Sequence, residues 1–414
     1  MAGATGFFFW TWAALSALYR IQEVGLSPVQ LVLVGTALEI STFVFEIPTG
    51  VVADTISRRL SIIVGVTIMG IGFILEGSIP IFGAIVVAQI VWGIGFTFTS
   101  GATEAWLADE IQDDLATTRA LLRGAQVRQV ASLGGIGAAV ALASINLRLP
   151  LIVGGIGHLL LAAALVLLMP EAGFQRVSES QRETWHDMKA TLGHGADLVR
   201  GHRALLALLG AAVFFGAFSE AFDRLWEALI LADFTFPAAP DWSAVVWFGA
   251  IDAAAMILSI VAAGAIHKRI TSGRVVHIPA LLTVLVFLLG AVVVGLGLAG
   301  QFALAAAMYQ AAILIRVVHG PLLTAWLNEQ LESRSRATVF SMQSQSDALG
   351  QAAGGPVLGW IATAASLSTA FVVAGFFLMP AVFLYAWATR WDRNDRLLLA
   401  TETRGPDDTT RDHP

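Results

Sequence analysis

Glu46-Ile47-Pro48-Thr49-Gly50-Val51-Val52-Ala53-Asp54-Thr55-Ile56-Ser57-Arg58-Arg59 joins two long apolar runs, 28–52 and 60–78, through a short polar turn. A hydrocarbon core about 30 Å thick is crossed by about 20 apolar residues in a helix, and both runs reach that length. The turn leaves no room for anything but a reversal at the membrane surface. The same rhythm extends over the whole chain, with further apolar runs at 3–20, 82–107, 124–144, 149–169, 204–231, 242–266, 275–298, 301–327, 340–365 and 368–389. Twelve such runs, 57% hydrophobic residues and a mean hydropathy of +0.75 point to an all-α membrane protein of twelve transmembrane helices.

Charge sets the expected orientation. Of the 24 Lys and Arg residues, 20 fall in the loops after even-numbered runs and in the C-terminal tail, among them Arg58, Arg59, Arg119, Arg123, Lys268, Arg269 and Arg390. The positive-inside rule then predicts a multi-pass protein of the cell (cytoplasmic) membrane with both termini cytoplasmic. The N-terminal run has no basic segment before it, so it does not read as a cleavable signal. It starts almost at Met1: either the first helix is short on its inner side or the natural start lies upstream.

A net charge of −6 offers no basic surface, so nucleic acid is not an expected partner. The chain has no cysteine, which excludes disulfides and thiolate chemistry. There is no Gly-x-Ser-x-Gly elbow, no His-Glu-x-x-His and no Walker loop, so neither an enzyme, a metal, a cofactor nor ATP-driven work is expected.

An internal repeat is the second signal. Gly101…Ala105-Trp106-Leu107 recurs as Gly320…Ala325-Trp326-Leu327 at an offset of 220, Arg119-Ala120 and Gln126 as Arg336-Ala337 and Gln343 at 217, and Gly35 and Gly50 as Gly249 and Gly264 at 214. Arg20-x-x-Glu23 recurs as Arg224-x-x-Glu227 at 204. The common order predicts two pseudo-symmetric six-helix bundles, 1–169 and 204–389, related by an axis along the membrane normal. Between them lies a polar stretch, 170–203. Trp185, Met188, Leu192 and Val199 share one helical face there, which predicts an amphipathic interfacial helix acting as a tether or a regulatory element. Residues 390–414 read as a disordered cytoplasmic tail.

The stretch that opens at Gly50, with Asp54 four residues on and the basic pair Arg58-Arg59, resembles motif A of the major facilitator superfamily. The wider string from Glu46 to Asp54 is similar to the drug–proton antiporter branch that includes macrolide-efflux-like proteins, as is Ser219-Glu220-Ala221-Phe222-Asp223-Arg224-Leu225-Trp226-Glu227 in span 7. The resemblance implies a secondary active transporter exporting a hydrophobic or amphiphilic small molecule against protons by alternating access, working as a monomer in the lipid bilayer. Other readings keep the fold but make it a facilitator or importer of a polar metabolite, or a non-transporting receptor. In the family the motif acid caps a helix of the other half, here span 11, and the basic pair reaches acids near the end of span 4, for which Glu104 and Asp109 are candidates. Gly50, Asp54, Arg58, Arg59, Glu104 and Asp109 thus form an expected cytoplasmic latch. Two features depart from the pattern. Gln89 stands where motif B has an arginine, and span 5 reads Gly134-Gly135-Ile136-Gly137 without the antiporter proline.

Ionisable residues inside the bilayer are costly and mark function or specific pairing. Glu39, Glu220, Asp223 and Asp252 are the proton-coupling candidates, each equally open to a plain pairing role. Gln89, Trp92, Phe215, Gln310, Arg316 and His319 are the expected cavity-lining residues; Arg316 and His319, three apart, are neighbours on one helix face. The Arg-x-x-Glu pairs at Arg20/Glu23 and Arg224/Glu227 are expected either to form an outer gate between spans 1 and 7 or to cap helix ends.

Overall fold

The computed structural model describes residues 1–174, 203–238, 242–271, 277–330 and 333–402. Among these there is no strand, and the helices fall on the twelve expected spans. Span 1 is Ala2–Ala13 followed by Ser16–Gln22, span 2 Pro28–Thr55, span 3 Arg58–Ser78, and span 4 Phe82–Thr99 with an extension Ala102–Ile111. Span 5 is Asp114–Ala143 and span 6 Leu149–Leu168. The second half comprises Arg203–Asp233, Ala244–Thr271, Ile278–Gly297, Phe302–Gln330, Ser333–Ala364, and Leu367–Phe377 followed by Met379–Glu402. Nine helical stretches among the described residues are long and apolar enough to cross a membrane on their own. The exceptions are span 1, which is broken at Ala14-Leu15, and spans 5 and 11, whose first halves are polar. Spans 5 and 11 are repeat mates, so these two exceptions follow the symmetry; the break in span 1 does not, since its mate runs unbroken from Arg203 to Asp233.

Local chemistry explains the boundaries. Ser27 and Gln30 form a capping box ahead of Pro28, Ser57 accepts from Leu60 N at 2.9 Å, and Asp113 accepts from Ala116 N at 2.7 Å. Span 4 breaks at Gly101, whose φ of 70° a glycine adopts without penalty. The amphipathic linker helix expected within 170–203 lies outside the described residues beyond position 174. The tail differs from expectation: helix continues from Met379 to Glu402, so 390–402 is not unstructured, while 403–414 lie outside the described residues.

The two halves pack by the same plan. Within the first, span 1 packs on 5 and 6, span 3 on 4 and 6, and span 2 on 4; within the second, 7 packs on 11 and 12, 9 on 10 and 12, and 8 on 10. Backbone crossings repeat as well. Gly70 of span 3 meets Gly155 of span 6, and Gly290 of span 9 meets Gly375 of span 12, both at an offset of 220. A Cβ on Gly70 would stand 2.8 Å from Gly155 O, and one on Gly290 would stand 3.0 Å from Gly375 O. Gly135 of span 5 sits on Phe7 O and Thr11 N of span 1, as Gly350 of span 11 sits on Val213 O and Ala217 N of span 7. These are two parallel-repeat bundles related as expected.

Gly70→Ala and Gly290→Ala are therefore expected to lower the thermal midpoint of the detergent-purified protein by similar amounts, each crowding a helix crossing at a cost of about 1–3 kcal/mol. Gly83→Ala, with open space around its Cβ position, should leave it unchanged. A midpoint unmoved by both crossing variants would refute this packing account.

Candidate functional site

Among the described residues, the contacts between the lobes gather at one end. That end carries the turns around Gly25 and Ser144; the opposite end carries Met1 and the Gly50–Arg59 turn. At the first, the far end, Val29 N donates to Thr363 Oγ1 at 3.0 Å, and Gly355 and Gly359 of span 11 lie against Val32 of span 2. Gly249 of span 8 packs on Val140 of span 5. At the termini end the repeat-related Gly50 and Gly264 have nothing within 4 Å of their Cβ positions. Two cavities lie between and beside the lobes. One, of about 500 Å³, lies within the second lobe and is lined by Phe215, Arg316, His319, Gln343, Asp347 and Tyr385. The other, of about 460 Å³, lies between spans 2 and 11 and is lined by Glu39, Phe43 and Met342 among others.

At the termini end, Arg58 binds Asp109 and donates to Ala105 O at 2.9 Å, with Asp54 at 3.5 Å on its other side. Arg59 N donates to Glu171 at 2.9 Å, and Ser57 Oγ reaches both oxygens of that carboxylate. Of the two acids expected to receive the basic pair, Asp109 does so, while Glu104 is exposed and takes no part. Asp54 is 55% exposed and, among the described residues, its partner is Arg58; the side chains at the start of span 11, which it is expected to cap, lie outside the described residues. Glu171 was not singled out by the sequence reading, because it follows the apolar run and Pro170 and reads as loop.

In the second lobe each expected charge has an in-lobe partner or is buried. Arg316 grips Asp223 with two bonds, 2.5 and 2.7 Å, and lies over the Phe222 ring at 5.4 Å. Arg224 Nε donates to Glu220 Oε1 at 3.2 Å one turn below, and this pair lies directly on Gly35 of span 2, at the lobe seam. His319 stacks on Phe215 at 4.9 Å and meets Tyr385 Oη at 3.1 Å. Asp347, which the sequence reading passed over inside the polar run Gln343-Ser344-Gln345-Ser346, faces the larger cavity and accepts from Gln351 at 2.7 Å. Asp252 is buried, and no hydrogen bond or ion pair reaches it from the described residues. Glu39 borders the smaller cavity, likewise without a bonded partner among the described residues.

The outer gate expected between spans 1 and 7 is not formed. Arg20 Nε binds Glu76 Oε1 at 2.7 Å, Arg148 Nε binds Glu23 Oε1 at 2.6 Å, and Arg224 holds Glu220; every pair stays in its own lobe. Glu227 is buried with Oε2 unpartnered. The reason is register. The glycine crossings relate spans 1 and 7 by 206 (Phe7 to Val213, Thr11 to Ala217), not by the 204 read from Arg-x-x-Glu. Two residues turn a helix by about 200°, so the two motifs face different ways.

Glu76, at the far end of span 3, is the residue the sequence reading missed most. It is fully buried and gathers Arg20, Trp12 Nε1 at 3.2 Å and Gln89 Nε2 at 3.0 Å, while its carbonyl accepts from Tyr19 Oη at 2.9 Å. Gln89 is therefore not cavity-lining in this conformation: a buried carboxylate needs donors, and Gln89 is one of them. Trp92 belongs to the adjoining stack, in which Trp12 and Phe73 lie 4.1 Å apart and 11° from parallel. Gln310 ties span 10 to span 8 through Ile251 O at 2.8 Å. Phe215, Arg316 and His319 line the cavity within the second lobe.

Comparison with known proteins agrees with this architecture. The family model described as Major Facilitator Superfamily matches residues 1–341. An uncharacterized MFS-type transporter of Bacillus subtilis (strain 168), YxaM, is 22% identical over 397 residues, covering 95% of this chain and 94% of its own. Among solved structures, a point mutant of the nucleoside transporter NupG superposes with a TM-score of 0.78 at 13% identity, covering 94% of this chain and 98% of that one. A bacterial homologue of the human lysosomal transporter Spinster, in an inward-facing and occupied conformation, gives 0.72 at 15% identity, covering 94% and 95%.

Removing Glu76 leaves a buried guanidinium without its counter-charge. Glu76→Ala is expected to destabilise the first lobe by about 3–5 kcal/mol, read as a fall in the detergent melting temperature. Arg148→Ala, which breaks a half-exposed pair, should cost at most about 1 kcal/mol. Equal melting of the two variants would contradict the role given to the buried network.

Proposed function

The chain belongs to the major facilitator superfamily, and we propose that it is a proton-coupled secondary transporter that exports an amphiphilic small molecule across the cell membrane. It is a membrane transporter of this type and not an enzyme. The observation that carries the proposal is the one-ended seam: lobes packed through Val29, Val32, Gly355 and Gly359 at the far end and separated at the termini end, with cavities between and beside them. That is one half of an alternating-access cycle. With both termini cytoplasmic, as the charge distribution predicts, it is the inward-open half, ready to load from the cell interior.

Coupling falls to the acids that no arginine neutralises. Glu220 and Asp223 are held by Arg224 and Arg316, whereas Glu39 and Asp252 have no such partner among the described residues. An acid of this kind can carry a proton in one conformation and release it in the other. The apolar wall of the Glu39 cavity supports an amphiphilic cargo. A second reading, a facilitator or importer of a polar metabolite, draws on the polar wall of the larger cavity, where Arg316, His319, Gln343 and Asp347 converge. The transport of nucleosides by NupG is in keeping with it.

The decisive experiment is an efflux and susceptibility panel in a host stripped of its own exporters. Export is expected to be abolished by an uncoupler, whereas flux that ignores the uncoupler would favour the facilitator. Glu39→Gln or Asp252→Asn should lower uphill export at least tenfold while leaving substrate exchange, since a lost proton carrier uncouples without blocking movement. If the neutral variants at Glu39, Glu220, Asp223 and Asp252 all still drive uphill transport, proton coupling through these acids is ruled out.

A further inference from the structure

We propose that Pro170–Phe174, the first residues to leave span 6 for the second lobe, form a strap that sets the position of Arg58, and that Glu171 is its positioning residue. Four residues of the strap, Pro170, Glu171, Gly173 and Phe174, fix it in place. Trp106 Nε1 donates to Pro170 O at 2.8 Å. Glu171 accepts from Ser57 Oγ and from Arg59 N, an otherwise unpaired donor in the first turn of span 3, where a carboxylate also meets the favourable end of the helix dipole. Gly173 N donates to Glu110 Oε1 at 2.8 Å, and Gly173 lies so close to Asp109 O that a side chain there would collide with it. The ring of Phe174 lies 5.9 Å from the Arg58 guanidinium.

The strap thus spans the Gly50–Arg59 turn on one side and the Ala102–Ile111 extension on the other, with Arg58 between them. Arg58 has two carboxylates in reach, Asp109 in close contact and Asp54 at 3.5 Å. Glu171 anchors the Ser57-Arg58-Arg59 turn through Ser57 Oγ and Arg59 N, and the Phe174 ring lies over the guanidinium. The consequence is that Asp54, which Arg58 approaches only to 3.5 Å, stays largely exposed and within reach of the other lobe when the termini end closes. Without the strap, Arg58 turns to Asp54 and occupies it. Closure at the termini end then loses a contact, and the state that opens the far end is less populated.

This rests on the two-state lobe movement proposed above, so its test uses neither substrate nor ion gradient. The chain has no cysteine, which makes a single reporter clean. Val32→Cys places a thiol in the closed far-end seam, where Val32 is fully buried against Gly355 and Gly359, and thiol labelling of the full chain in detergent reads far-end opening. In that background Glu171→Gln is expected to slow labelling about fivefold, the factor a partly exposed charged contact accounts for, and Glu171→Asp to restore most of it. Gly173→Ala, which lifts the strap off Asp109, should slow labelling likewise, and it carries the test alone if Glu171→Gln does not fold. Labelling at the parent rate in folded Glu171→Gln or Gly173→Ala overturns the proposal. So does a lowered melting temperature with unchanged labelling, which would make the strap merely structural.

Discussion

Helices surrounded by hydrocarbon gain no hydrophobic energy from touching one another, so association depends on dispersion at close approach and on interhelical polar contacts. In this chain the close approaches are made by glycines whose mates recur in the other half: Gly70 on Gly155 and Gly290 on Gly375, Gly135 on span 1 and Gly350 on span 7. Backbones that near one another tolerate little sliding, so each lobe behaves as a unit. The seam between lobes uses the same device sparingly, through Gly35, Gly249, Gly355 and Gly359, all toward the far end. A few such contacts are enough to close one end and few enough to be exchanged.

The distribution of charge serves the same division. Arg20–Glu76, Arg148–Glu23 and Arg58–Asp109 lie in the first lobe; Arg224–Glu220 and Arg316–Asp223 lie in the second. Breaking a buried pair by separating its partners would cost several kcal/mol. Since these pairs stay within a lobe, rocking the lobes leaves them intact, and the two states can remain close in energy. The buried or cavity-facing acids left without an arginine bond among the described residues, Glu39, Glu227, Asp252 and Asp347, are then the groups whose surroundings a lobe movement is able to change.

The helix count, span limits, two-lobe repeat and position of the Gly50–Arg59 turn were legible because each rests on a long-range pattern, apolar length or charge placement. The site was legible only in part. Arg316, His319 and Phe215 were readable as central residues on facing spans. Glu76 was not: it stands near the end of the apolar run 60–78, and its burial depends on Arg20, Gln89 and Trp12 arriving from other spans. Asp347 was hidden by its polar neighbours. The glycine mates at an offset of 220 were present in the sequence, but among 40 glycines a spacing match carries little weight until the crossings are seen. The Arg-x-x-Glu match had the opposite fault: an apparent repeat two residues out of register, which on a helix means the wrong face.

That contrast bears on the turn itself. Its second-half counterpart, Gly264…Lys268-Arg269, keeps the glycine and the basic pair and has lost the acid. If the turn had a single role, half of it would be of no use. The contacts separate two roles. Arg58 and Arg59 bind Asp109, Ala105 O and Val166 O, all in their own lobe, and Arg59 N binds Glu171. The basic pair therefore ties spans 2 and 3 to the ends of spans 4 and 6 whatever the other lobe does. Asp54 is the exposed member of the set, its reach limited only by Arg58 at 3.5 Å. In the first half the basic pair is an intralobe tie in its own right, and the exposed acid beside it is available to the other lobe in the movement proposed above. On this reasoning the asymmetry between the two turns is a division between fastening and switching, with the switching assigned to the first half alone.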